Sequence, residues 1–453
     1  MSINKVIENK FCVGCGGCKI YDPEGISISF TDDGFYEAYK SDKAKSSVTK
    51  VCPFSDASVN ETELGKEIYS RLSHNYDRKV GYYNKVLAGS VKDESEKLNS
   101  SSGGLTTWVL EKLLVNDEID SVAHVGFDGE NYNYIISKTI TELRDVNNKK
   151  SRYYPVTLAS IEKYLNNTTD RVAIVGIPCF IKSIRLIQKY GGLRNIKYCI
   201  SILCGHMKSS GFGESLAWQL GVPPHEQAKY DFRVKKEGYS SSHYFFEVTD
   251  QRNQSKQALS SGLLGSNWGL CFFRHKSCGY CDDIAGETAD VTFGDAWIEK
   301  YTSDYLGNNI VVVRNQIIER YFEQYSDELN IDEVDVDTFY QTQKGNYGNR
   351  RGGILANVEK CSKWYPKKRL ELCKDYSGDS KKNRVYRYRM KLSALSIVFF
   401  KWSKRLNSFG FFRLLMFPWL IRYYLMNNGI KYTVKKFIPS KLKSILVRVK
   451  NHA

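Results

Sequence analysis

Eight of the twelve cysteines in this 453-residue chain fall in patterns that could hold metal. "CVGCGGCKI" sets Cys12, Cys15 and Cys18 at C-x2-C-x2-C spacing, with Cys52-Pro53 downstream. A loop so spaced can wrap three corners of an iron-sulfur cubane, its glycines keeping the backbone clear and its N–H groups turned to the sulfides. In bacterial two-cluster ferredoxins the Cys-Pro serves the other cluster. Here no second triplet surrounds Cys52, so it is expected to complete the same [4Fe-4S] site. Zinc usually takes paired C-x2-4-C motifs, which a triplet and a lone Cys-Pro fit poorly.

A second pair, Cys278 and Cys281 in "KSCGYCDDIAGETADVTFGDAW", supplies two thiolates where a tetrahedral metal or a cluster needs four. The elements that could bring the others are legible. "RVAIVGI" (171–177) reads as a buried parallel strand, "CFIKSIRLIQKY" as a helix ended by Gly191-Gly192, and "IKYCISILC" (196–204) as the next strand. A right-handed crossover lays these strands parallel, with Cys179 and Cys204 at the carboxyl edge where open α/β sheets bind ligands. Both could supply the missing thiolates. Both could equally be small buried hydrophobes, and spacing alone leaves the choice open. A thioredoxin-like reading fits worse, because the C-x2-C does not open a helix after a strand near the start of a βαβ unit. Cys199, Cys361 and Cys373 are expected to be non-ligands, with Cys271 a spare.

Three kinds of sequence follow one another. Residues 1–70 form a cysteine-dense module closing in the polar "SDASVNETELGKE", which reads as a linker. Residues 71–345 alternate apolar runs with helix-period segments, as an α/β body does. Residues 346–453 form an extension whose final part, from Lys381, holds 18 of the 66 Lys and Arg and no Asp or Glu. The N-terminus has no apolar core of a secretory signal, so the thiols are expected to meet a reducing cytosol.

The ordered set "SSGGLTTWVLEKLL", "KSRYYPVTLASIEKYL", "VAIVGIPCFIKSIR", "ISILCGHM", "DFRVKKEG" and "CGYCDDIAGETADVTFGDAW" resembles the family of coenzyme F-420 hydrogenase/dehydrogenase beta subunits over 85–297. The resemblance implies an FAD- and [4Fe-4S]-binding body, the cluster held by Cys179, Cys204, Cys278 and Cys281. Many bacterial members also carry an N-terminal ferredoxin module, and several are encoded among surface-polysaccharide genes. In that light Ser101, Ser102, Gly103 and Gly104, ahead of a helix, offer backbone N–H groups to FAD, where by themselves they read as a plain cap and turn. Arg152 offers an anion partner and Tyr153 a stacking group, with surface-loop chemistry as the alternative. "GDAW" (294–297) either shapes the same site or simply buries Trp297. His206 and His275, each close to an expected ligand, read as satisfied structural histidines, with tuning or protonating the site as the alternative.

The expected fold is α+β and α/β: a ferredoxin-like N-terminal module, a mixed α/β body, and a basic α-helical tail. The expected function is an iron-sulfur flavoprotein oxidoreductase. A ferredoxin or similar one-electron donor would reduce the first of two [4Fe-4S] clusters, and electrons would pass through the second and FAD to a small, sugar-linked substrate. The deazaflavin of the family name does not follow, nor does the direction of flow. The rival is a non-catalytic, metal-stabilised peripheral membrane scaffold of a polysaccharide assembly. Within the tail, basic residues alternate with large apolar ones in "FGFFRLLMFPWLIRYYLM", a stretch interrupted by Arg413, Pro418 and Arg422 and so unsuited to span a bilayer. It fits either an anionic lipid surface or a helical extension packed on protein. No nucleic-acid recognition fold accompanies the charge.

Overall fold

The computed structural model describes residues 3–73, 75–127, 131–226 and 228–437. Its centre is an eight-stranded sheet. In chain order the strands are β1 (Lys85–Val91), β2 (Ser121–Phe127), β3 (Tyr132–Ser137), β4 (Val172–Gly176), β5 (Ile196–Ile202), β6 (Val291–Asp295), β7 (Asn309–Val313) and β8 (Leu329–Val334). They lie in the order β8-β1-β7-β6-β5-β4-β2-β3. The inner neighbours β6, β5, β4 and β2 are parallel, and the remaining pairings are antiparallel. The β-branched runs follow from this placement: "NIVVV" of β7 is buried along its whole length, as a strand covered on both faces must be.

The expected βαβ unit is present. Helix α2 (Pro178–Lys189) joins β4 to its parallel neighbour β5; Pro178 opens it and Gly191, at φ +95°, lies just past its end. Helix α1 (Leu105–Val115) follows the Ser-Gly-Gly turn. The carboxyl ends of the four parallel strands share one edge, toward which β1 also runs.

Both flanking segments pack on this body. The polar "linker" is a helix, Glu61–Tyr69, capped by Asn60 and burying Glu61, Leu64, Gly65 and Tyr69. That i, i+3, i+4, i+8 spacing is helical, and a reading by polarity alone misses it. Phe11, Ile20, Val51 and Phe54 of the N-terminal module share one core with Ile174, Phe180 and Ile184 of the body.

At the other end, the chain beyond 345 packs closely on the body. Residues 346–369 fold back over the cysteines, with Trp364 Nε1 donating to Asp56 at 2.9 Å and Arg369 only 3% exposed. Helices α3 (Ser380–Arg405) and α4 (Phe409–Phe437, broken at Gly429, φ +81°) then form a hairpin. Val385, Leu392, Phe400, Phe412, Met416 and Leu420 join a core with Phe212, Phe272 and Phe273. No described helix is long and apolar enough to cross a membrane. The rest of the basic tail, 438–453, lies outside the described residues.

Candidate functional site

Cys12 and Cys15 lie on the loop that runs into a one-turn helix, Gly17–Tyr21, which carries Cys18, and Cys52 follows the turn Ser46–Val51. The four converge inside a dry wall that includes Ile3, Val6, Ile28, Ala38 and Phe54. The glycines answer to crowding as much as to exposed N–H groups. Gly16 has φ +87°, and a Cβ on Gly17 would stand 1.9 Å from Ser183 Oγ of α2. Burial, opposed only weakly by hydrogen bonds such as Ala38 N–H to Cys12 Sγ at 3.3 Å, pushes the Cys12 thiol up to about 11 and the Cys52 thiol up to about 12. Such thiols ionise readily against a strong positive centre, as a bound metal ion is.

Cys179 is the second residue of α2, Cys204 lies two residues past β5, and Cys278 and Cys281 lie in and just past the turn Lys276–Tyr280. These four also converge: burial above all raises the Cys179, Cys204 and Cys278 thiols, the charge of Cys281 raises all three further, and Cys15 of the first set is close enough to act on Cys179. Helix α2 is the common wall: Cys179 faces the second set, while Ser183, one turn on, donates to Val51 O at 2.9 Å beside the first. Among the described residues no three His, Cys, Asp or Glu are drawn close enough to share one metal ion. A cubane spreads its thiolates wider, since each takes a different iron. All twelve cysteines are free. Cys199 lies within β5, Cys271 is held by Trp268 O at 3.6 Å, and Cys361 by Lys363 O at 3.2 Å.

The residue nearest this second set carries no sequence motif that announces it. Arg350, 2% exposed, sits on a π-helical turn, Gly348–Gly352. Its Nη2 donates to Cys281 Sγ at 2.5 Å and to Asp283 O at 2.9 Å. Nε donates to Cys281 O at 3.0 Å, and Nη1 to Cys204 O at 2.6 Å and Gly205 O at 3.1 Å. The available signal is "GNRRGG", two arginines between glycines. Beside it a buried ionic cluster ties the N-terminal, central and C-terminal segments: Lys182 to Glu61 at 2.9 Å, and Arg369 to Asp282 and Glu287 at 3.0 and 2.6 Å.

A cavity of about 300 Å³ opens at the carboxyl edge of the sheet, and Cys204 is in its wall. Ser101, Ser102, Gly104, Arg152 and Tyr153 line it; Gly103 does not. Gly103 instead packs on β1, where a Cβ would meet Gly89 O at 2.6 Å. Ser101 Oγ accepts from Ser151 N at 2.7 Å, and Ser102 Oγ donates to Asn308 O at 2.9 Å. Lys235, in the "DFRVKKEG" stretch, fastens this loop by donating to Ser102 O at 2.9 Å and Lys97 O at 2.5 Å. Arg152 donates to the carbonyls of Tyr230 and Asn147 at 3.0 Å each, with its guanidinium 4.4 Å from the Tyr132 ring, so two of its five N–H donors are engaged. Tyr153 packs on Phe232 and Trp268. Three buried polar atoms of the wall have no partner among the described residues: Ser100 Oγ, Arg152 Nε and His206 Nε2. Asp295 of "GDAW" also lines the cavity and pairs with Arg233 at 2.8 Å. His275 is structural, its Nδ1 accepting from Ser277 N at 3.2 Å to cap the Cys278 turn.

Two stretches match the family described as "Coenzyme F420 hydrogenase/dehydrogenase, beta subunit", residues 86–163 its N-terminal part and residues 169–338 its C-terminal part. Together the matches span more than half the chain. The chain belongs to this family of coenzyme F420 hydrogenase/dehydrogenase beta subunits. It is similar to a subunit of the F(420)H(2) dehydrogenase of Methanosarcina mazei, 23% identical over 73% of this chain and 86% of that one. It is also similar to a coenzyme F420-dependent sulfite reductase of Methanocaldococcus jannaschii, 24% identical over 42% of this chain and 27% of that one. A chain of the F420-reducing [NiFe] hydrogenase complex of Methanosarcina barkeri aligns at 15% identity with a TM-score of 0.44, covering 60% of this chain and 91% of that one. The family match ends at 338, so Arg350, Arg369 and the helical hairpin lie beyond it.

Proposed function

We propose that the protein is an iron-sulfur flavoprotein oxidoreductase that takes electrons from a ferredoxin-like protein donor and delivers them to a small, sugar-linked substrate. One observation carries this reading most: four cysteines from three remote segments meet at the sheet edge, and one of them, Cys204, also forms the wall of the cavity. Cys12, Cys15, Cys18 and Cys52 would hold one [4Fe-4S] cluster, and Cys179, Cys204, Cys278 and Cys281 a second; all-thiolate sets in dry walls suit iron-sulfur chemistry. FAD would occupy the cavity, where Ser100, Arg152 and His206 present polar atoms that still need a partner. The clusters supply one-electron transfer, and the flavin couples it to two-electron chemistry. The chain's own part is spacing and dryness: α2 holds the two thiolate sets side by side, and Cys204 keeps the second against the cavity.

Anaerobic purification tests this directly. About eight iron and eight sulfide per chain, with a flavin spectrum bleached by dithionite, are expected. A colourless protein with bound zinc would instead favour the non-catalytic scaffold. Cys179→Ser should halve the iron; full iron content in that variant would remove the second site.

The tail adds a proposed location, peripheral contact with anionic lipid. Helix α4 is apolar on two sides. Phe412, Met416 and Leu420 are buried on the body, while Leu414, at 69% exposed, and Phe417, at 47%, face outward beside exposed Arg413 and Arg422. A helix apolar all round needs cover on every side, and the body covers one.

A further inference from the structure

We infer that Arg350 sets the reduction potential of the second cysteine site, raising it above what four buried thiolates alone would give. The inference rests on the reading that Cys179, Cys204, Cys278 and Cys281 hold a cluster. It adds a residue outside the family match and outside the body that the sequence delimits.

A guanidinium has five N–H donors in a rigid fork, and here all five are used on the segments that carry the cysteines. Four go to backbone carbonyls of Cys204, Gly205, Cys281 and Asp283, and the fifth to the Cys281 sulfur itself. The carbonyl bonds lock the fork, so the N–H aimed at sulfur cannot swing away. The geometry therefore places a fixed positive charge and a charge-assisted hydrogen bond on one ligand, in a site where Arg350 is 2% exposed and solvent screens little. Adding one electron to the site makes it more negative, with no bond made or broken and no proton needed at the always-charged arginine. The charge and the bond both favour the more negative state, and hydrogen bonds to sulfur and net charge are what tune such potentials. Arg274 and Lys368 also lie close enough to act on Cys278 and Cys281, but Arg350 alone among the described residues donates a side-chain N–H to a sulfur of this set. The π-helical turn is consistent with this role. Wide turns of that kind are rare and recur at functional sites, and this one widens where Arg350 must reach inward.

The experiment is a dithionite-poised redox titration of the full-length, anaerobically purified protein, followed by electron paramagnetic resonance of both clusters. In Arg350→Gln the second cluster should show at least a tenfold lower reduced-to-oxidised ratio at a fixed poise, equivalent to about 59 mV for a one-electron couple, while the first cluster is unmoved. Arg350→Lys, which keeps the charge and loses the fork, should shift in the same direction by less. A purely structural clasp would alter iron content without moving the potential of the clusters that remain. Unchanged potential in a variant with full iron overturns the inference. Should both variants lose the cluster, the unaltered protein decides: the Met207 amide already donates to Cys278 Sγ at 3.2 Å, so a second exchangeable deuteron coupled to the second cluster in D2O is expected, and its absence overturns the proposal. Iron for one cluster only in the unaltered protein would instead defeat the reading of the site on which this rests.

Discussion

Replacing Arg369 with methionine should cost about 3 kcal/mol of stability by stranding two buried carboxylates. Arg369 is 3% exposed and stands between Asp282, fully buried, and Glu287, 3% exposed. It donates Nε to Asp282 Oδ2 at 3.0 Å, and Nη1 and Nη2 to the two Glu287 oxygens at 2.6 and 2.9 Å. Removing one member of a buried ion pair costs about 3–5 kcal/mol, because the partner keeps its desolvation and loses its compensation. The lower end applies here. Arg351 remains 3.2 Å from Glu287, Lys368 remains 3.9 Å from Asp282, and methionine refills most of the arginine stem. With a denaturant slope of about 3 kcal/mol/M, the urea midpoint should fall by about 1 M. The assay is anaerobic urea unfolding at matched iron content, followed by tryptophan fluorescence, for the parent, Arg369→Met, Glu287→Gln and the double variant. The double variant should regain at least half the loss, since a neutral amide no longer needs the cation. A midpoint for Arg369→Met within about 0.2 M of the parent, or a double variant that merely adds the two losses, would refute the reasoning.

Three further outcomes are expected. Gly17→Ala should cost the first cluster, about four iron per chain, because its Cβ would stand 1.9 Å from Ser183 Oγ; a companion Ser183→Gly should restore part of the iron, and full iron in the single variant would contradict the packing. Burial lowers His124 from 6.5 to about 4, so between those values the unfolded chain binds a proton that the folded one refuses. Stability is then whole above pH 6.5 and declines by up to about 3 kcal/mol as pH falls toward 4; His124→Gln should flatten that slope in urea midpoints measured from pH 7 to 4.5, and parallel slopes would dispose of the assignment. Leu414→Glu with Phe417→Glu should weaken co-sedimentation with phosphatidylserine vesicles at least tenfold, whereas equal binding by the two proteins would place the lipid contact elsewhere or nowhere.

Much of the site is legible in the chain because local spacing encodes it. The C-x2-C-x2-C loop, the C-x2-C pair and the β4-α2-β5 unit are each short, and the periodicity of "VAIVG" and of α2 fixes which residues end at the carboxyl edge. The Ser-Gly-Gly turn is likewise visible as a helix start, although Gly103 serves packing and not the cavity. Helix Glu61–Tyr69 is hidden by its polar composition, since Glu61 is buried against Lys182 and Arg369, both far along the chain. The antiparallel margins of the sheet leave no local trace either.

Residue order therefore reveals which side chains can bind metal and which edge of a sheet two of them reach, because strand, helix and loop signals act over a few residues. It took the folded arrangement to bring Cys179 and Cys204 to Cys278 and Cys281, to set this group beside the first across α2, and to draw Arg350 and Arg369 into the body. Such pairings are made across long loops, where burial and charge compensation select the partners and sequence distance carries no information about them.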